Sequence, residues 1–213
     1  MGKVKLLLAG AVFALVPAIQ TTFGGQTYAE RVVENLPKEE LSEFEKQSLL
    51  YMVQEEKLAR DLYLKLYERW RLPIFKNIAR SEQHHTNMVR ALLKKYGLPD
   101  PTFGKKVGQF EDPELQKLYD RLLERGNRSL VEALKVGALV EELDIKDLKE
   151  RLEKVDNEDV KVVFKNLMKG SRNHLRAFVR VLKRFGGDYR PTYLPPDEVE
   201  QILSTPIERG FYR

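Results

Sequence analysis

Glu82-Gln83-His84-His85 places a carboxylate and an imidazole one helical turn apart. The apolar residues around them, Phe75, Ile78, Val89 and Leu92, recur at the 3–4 spacing of a helix that buries one stripe. Carried through the gap, the stripe passes through Glu82 and His85, so both belong on the inward face. A charge there is costly unless it is paired or bound to a metal. The same interruption recurs further on, in Phe164, Leu167, Ser171, His174, Phe178, Val181 and Phe185, where His174 stands in the middle of an apolar stripe. His84 points off the stripe, toward an exposed face.

Two more helical patterns bring carboxylates inward. Over residues 39–70 the seam is Leu49, Met52, Glu56, Ala59, Tyr63, Leu66 and Trp70, with Glu55 one residue off it on the solvent side. Ser129, with Glu132 at the capping-box position, opens another helix. Its seam of Leu134, Gly137 or Ala138, Glu141, Ile145 and Leu148 puts Glu141 inside. Glu142 lies in the adjacent phase and Asp144 one turn on, so both stand as additional candidates. Asp144 could also cap a fresh helix at Ile145. Asn157 is the expected N-cap of the last long helix, which ends at Gly186-Gly187.

The expected architecture is all-α: an up-down four-helix bundle over residues 30–213. Pro73 follows the first long helix so closely that the first two must be antiparallel neighbours. A polar lead-in covers 30–39. The connection between the second and third helices is long, bears Gly and Pro, and carries a short helix over 113–124. It is long enough to cross the whole bundle. A tail with Pro191, Pro195 and Pro196 leads to a short helix near 197–203, expected over one end of the bundle.

Composition narrows the function. At 42% hydrophobic and 32% charged residues, the chain reads as helix-rich and soluble. Its net charge of +5 is spread rather than clustered, so no nucleic acid is expected as partner. With no cysteine, thiol catalysis, thiolate zinc and cysteine-ligated iron–sulfur centres are excluded. No Gly-x-Ser-x-Gly motif or phosphate-cradling glycine loop supports a hydrolase. Carboxylate plus imidazole donors suit iron or manganese, although ligand type alone leaves zinc and copper open.

Lys3 and Lys5 precede an apolar run over 6–19, followed by a polar stretch ending at Thr27-Tyr28-Ala29. That is the form of a secretory signal. The run is short for a spanning helix, which needs about 20 apolar residues. Residues 1–29 are therefore expected to direct export, with a retained N-terminal membrane anchor as the alternative.

The chain resembles the ferritin-like superfamily, and more closely its uncharacterised DUF2202 domain family. The likeness rests on Glu55-Glu56-Lys57-Leu58-Ala59-Arg60-Asp61, Ser81-Glu82-Gln83-His84-His85, Val136-Gly137-Ala138-Leu139-Val140-Glu141-Glu142-Leu143-Asp144-Ile145 and Gly170-Ser171-Arg172-Asn173-His174-Leu175-Arg176-Ala177-Phe178. It covers residues 40–200. Ferritin-like dinuclear carboxylate proteins draw a Glu from each of two helices and a Glu-x-x-His from each of the other two. The resemblance thus implies a metal centre of Glu56, Glu82, His85, Glu141 and His174. Glu82 and one of Glu56 or Glu141 would bridge two metals, with the histidines as terminal ligands.

Such a centre implies metal ions and a small oxidant as partners, redox chemistry on oxygen, peroxide or iron, and compatibility with a homo-oligomer. Tyr63 becomes a candidate redox residue and Asp61 a candidate orienting partner for an imidazole. The chain departs from the pattern at Ser171, where the second Glu-x-x-His would carry its carboxylate. Asp144 or Glu142 would have to supply that oxygen, or the site holds metal unequally or not at all. A non-catalytic metal-binding or structural bundle is the alternative reading.

Overall fold

The computed structural model describes residues 28–212, and every regular element among them is helical. The targeting segment expected over residues 1–29 lies outside the described residues, except that Tyr28 and Ala29 open the first helix. The helices are α1 Tyr28–Asn35, α2 Glu43–Trp70, α3 Pro73–Tyr96, α4 Pro113–Gly126, α5 Leu130–Leu152, α6 Glu158–Arg184 and α7 Pro196–Ser204.

α1 replaces part of the polar lead-in expected over 30–39. It is held by tertiary contacts: Val33 is fully buried, and the Lys95 ammonium at the end of α3 donates to Val33 O at 3.2 Å and Leu36 O at 2.8 Å. A cation on the last carbonyls of a helix is a favourable C-terminal partner. α2 starts later than the expected residue 39 because Ser42 and Glu45 form a capping box. α5 runs unbroken through Asp144, whose side chain serves the core rather than capping a new helix.

Two residues separate α2 from α3, and Arg71 makes the turn in the left-handed region at φ 54°. α2/α3 and α5/α6 form two hairpins that pack α3 against α6 and α2 against α5. The ends register through side chains. Arg151 at the end of α5 reaches Ser48 near the start of α2, and Tyr96 at the end of α3 donates to Asp159 at the start of α6. At the opposite end, the Trp70 indole donates to Gly126 O, just before α5. α3 and α5 are therefore parallel, and the segment between them runs the length of the molecule. It is pinned to α2 on the way: Lys57 donates to Lys106 O and Gln109 O, and Gln54 accepts the amides of Glu111 and Asp112.

The apolar interior is divided. One cluster includes Leu62, Leu66, Phe75, Ile78, Leu134 and Phe178; the other includes Leu49, Met52, Val89, Leu92, Leu148 and Phe164. Along α2, α3 and α6 the step between clusters falls at the polar seam residues, and along α5 it falls one turn beyond Glu141, between Ile145 and Leu148. Glu56, Glu82, His85, Glu141 and His174 thus form one layer near the junction of two cores. The tail does not cap a bundle end as expected. It turns back along the α5/α6 flank, where Arg172 pairs with Glu208, and Arg176 donates to Ile202 O at 2.7 Å and to Glu208.

Glu45 joins both hairpins at one end. Beyond its capping box, its carboxylate accepts the amides of Asp156 and Asn157 at 3.1 and 3.0 Å. Burial pushes its pKa up, but hydrogen bonds from Asn157 and Ser42 outweigh this and hold it at about 2, below the ordinary 4.5. A depressed carboxyl contributes stability above its unfolded pKa and loses it as pH falls toward the folded value. Glu45→Ala is expected to cost about 2 kcal/mol near neutrality, a drop in Tm of roughly 4–8 °C. The gap between variant and wild type should narrow between pH 4.5 and 2, which thermal melts at several pH values would measure.

Candidate metal centre

Each hairpin delivers ligand-type side chains to the buried layer: Glu56 from α2 with Glu82 and His85 from α3, then Glu141 from α5 with His174 from α6. All five are buried. Glu82 lies between the histidines, with Oε2 at 2.8 Å from His85 Nδ1 and Oε1 at 2.7 Å from His174 Nδ1. Glu56 approaches His85 Nδ1 at 3.1 Å, and Glu141 approaches His174 Nδ1 at 3.3 Å. Two trios result, Glu56–Glu82–His85 and Glu82–Glu141–His174, sharing Glu82. In each, one donor atom per residue lies within 4.8 Å of the others.

This donor set fits divalent metal ions. Metal–ligand bonds of about 2.0–2.2 Å place the donors on one ion roughly 3–4 Å apart. Each Nδ1 faces carboxylate oxygens from two residues, and one N–H cannot point straight at both. A cation can accept all three donors together. Glu56 Oε1 has no hydrogen-bond partner, a costly condition for a buried carboxylate oxygen.

Protons balance the layer in the ion-free state. Burial opposes charge on Glu82, yet His174 and His85 hold its pKa well below the ordinary range. Burial likewise disfavours charge on the histidines, but Glu82 and its neighbours dominate, raising His174 to about 10 and His85 well above its ordinary value. Burial followed by repulsion from Glu82 lifts Glu141 to about 7. Burial, then repulsion from Asp144, lifts Glu56 well above the carboxylate range.

A family model described as an uncharacterized protein domain, DUF2202, matches residues 45–206. The chain belongs to the DUF2202 family. It is 53% identical over 181 residues to an uncharacterized protein of Methanocaldococcus jannaschii, covering 85% of this chain and 98% of that protein. The crystal structure of a hypothetical protein from Methanococcus jannaschii superimposes with a TM-score of 0.80 at 54% identity, covering 81% of this chain and 99% of that one.

The other candidates in this DUF2202 chain fall in several places. Tyr63 is fully buried and donates to Glu141 Oε1 at 2.6 Å, directly beside the layer. Asp144 is buried at its edge and bonded to Ser171. Glu142 is not in the layer: its carboxylate accepts the amides of Thr192, Tyr193 and Leu194 and the Tyr189 hydroxyl, anchoring the tail. Asp61 does not orient an imidazole; it takes Lys57, Arg60 and the Gly108 amide. Glu55, expected toward solvent, is 4% exposed, with Asp147, Asp144 and Arg151 as its charged neighbours. His84 is half-buried rather than exposed.

Two neighbours were not foreseen. Ser81 Oγ lies 2.9 Å from His174 Nε2, where it can fix the tautomer that turns Nδ1 to the carboxylates. Gly170 gives His85 room, since a Cβ there would lie 2.4 Å from His85 Nε2. Ser81 precedes Glu82 and Gly170 precedes Ser171, but neither side chain type signals a role without the partner helix.

The ion-free layer makes folding pH-dependent with a defined sign. Asp144, lifted mainly by burial to about 8 from 3.8, Glu141 at about 7 and His174 at about 10 all hold protons more tightly folded than unfolded. Their contribution is complete below the unfolded pKa values and fades as pH rises through the folded ones. The Tm of metal-free protein should therefore fall between about pH 5 and 9. Saturating Mn(II), which replaces the protons, should flatten that slope in melts run with and without chelator.

Proposed function

We propose that this chain is a ferritin-like four-helix bundle holding a carboxylate/histidine metal centre of iron or manganese, acting in redox chemistry on oxygen, peroxide or iron. The observation that carries the reading is Glu82, whose two oxygens face the Nδ1 atoms of two histidines from different hairpins at 2.8 and 2.7 Å. With Glu82 common to both trios, Glu56, Glu82, His85, Glu141 and His174 would together hold the metal. When bound, iron or manganese would supply a redox couple and an open position for a small oxidant.

The chain's own groups support that chemistry. The apolar clusters on both sides exclude water from the layer. Ser81 orients His174. Tyr63 remains a neutral phenol, because burial and then Glu141 raise its pKa well above the ordinary value, and it holds its proton against Glu141. That makes Tyr63 the candidate to deliver a proton and an electron beside the metal.

The test is elemental analysis of purified protein loaded in parallel with iron and manganese, followed by peroxide consumption. Bound metal and metal-dependent turnover are expected, and Glu82→Gln should lose most of both. A Glu82→Gln variant that binds metal and reacts like wild type would sink the proposal. A second reading, metal binding without turnover, is favoured by Ser171 in place of a carboxylate. Tightly held metal that peroxide leaves unoxidised would select it.

We also propose export, on the strength of Lys3 and Lys5 ahead of the apolar run 6–19. Intact mass of protein expressed from the full reading frame in its native host should show loss of about the first 29 residues. Full-length protein in the cytosolic fraction would contradict it. Among the described residues no helix is long and apolar enough to cross a membrane.

A further inference from the structure

Ser171 stands one turn before His174 on the inward face of α6, where the Glu82–His85 spacing of α3 would place a second carboxylate. Its hydroxyl instead bonds Asp144 Oδ2, which comes from α5 one turn beyond Glu141. Leu167 O, at 3.0 Å from the same hydroxyl, anchors the serine to its own helix. Asp144 is 6% exposed, and its second oxygen, Oδ1, has no hydrogen-bond partner. A carboxylate oxygen buried without a donor is destabilising unless something else occupies it. The charged groups that interact with Asp144 include Glu56, Glu141, Glu82 and His85 of the layer, with Glu55 beside them.

We propose that Asp144, held by Ser171, is a sixth metal ligand that restores from α5 the carboxylate missing on α6. The centre then has four carboxylates and two imidazoles, enough for two hard divalent cations. Glu142 cannot serve, since its oxygens are taken by the 192–194 amides and Tyr189. Glu55 lacks the Ser171 tether, and its charged neighbours are Asp147, Asp144 and Arg151 of α5 rather than the histidines of the layer. Ser171 thus acts as a positioning residue: it fixes one Asp144 oxygen and leaves the other for metal.

This inference rests on the metal reading above, and one titration separates their failures. Mn(II) is added to the full-length protein, and the free ion is counted by its electron paramagnetic resonance signal. Wild type is expected to bind two equivalents per chain. Asp144→Asn, which keeps a partner for Ser171, should retain the first and bind the second at least about 10-fold more weakly. The double variant Asp144→Ala/Ser171→Glu, which moves the carboxylate back to α6, should regain it.

No binding by wild type with either Mn(II) or Fe(II) overturns the metal reading and this inference together. Wild-type binding that Asp144→Asn leaves unchanged overturns the role of Asp144 alone. So does a double variant that shows a wild-type circular dichroism melt yet fails to recover the second ion, because Asp144 would then act only through structure.

Discussion

The structure turns on charge compensation in a single buried layer. Glu56, Glu82, His85, Glu141 and His174 lie where two apolar cores meet, almost out of contact with water. An uncompensated ion in that position would cost several kcal/mol, comparable to a large share of a domain's total stability of about 5–15 kcal/mol. The layer is tolerable only if the two hairpins hold register closely enough for each charge to meet its opposite. Much of the remaining architecture serves that register. Glu45 ties the start of α2 to the α5–α6 turn, and Lys57 with Asp61 ties the long connection to α2. Glu142 ties the tail to α5. Each is itself a buried charge whose partners come from a distant segment.

The two halves of the layer are alike in their inner atoms and unlike around them. Each half presents a glutamate, a histidine Nδ1 and one oxygen of the shared Glu82. Outside that, His174 has Ser81 at its Nε2 and Glu141 has the Tyr63 hydroxyl, whereas His85 Nε2 faces the bare backbone of Gly170. Two ions bound here would therefore differ in ligand orientation and proton supply. Tyr63 sits on one side only, against Glu141.

Much of this was legible in the residues, for physical reasons that can be named. A polar residue on an apolar helical stripe is conspicuous because 3.6-residue periodicity fixes which face it shares. Glu56, Glu82, His85, Glu141 and His174 were all visible that way, as were the long helices, the short α2–α3 turn and the long connection after α3. What escaped was set by contacts between segments distant in the chain. α1 forms where Lys95 and the face of α3 receive it. Glu55 is drawn inside because α5 closes over the side that a single helix leaves open, bringing Asp144, Asp147 and Arg151 near it. Glu141 and Glu142 are adjacent, and only the path of the tail assigns one to the layer and the other to the 192–194 amides.

By itself the sequence determined the helical periodicity, the positions of the turns and the inward direction of five ligand-type side chains, all properties of one helix at a time. Tertiary structure alone decided that two histidines share one glutamate, that Ser171 meets Asp144, and that the tail lies along a flank instead of an end. Those outcomes depend on the rotation and axial offset between helices, which side-chain packing across α2, α3, α5 and α6 sets. No local spacing encodes that offset.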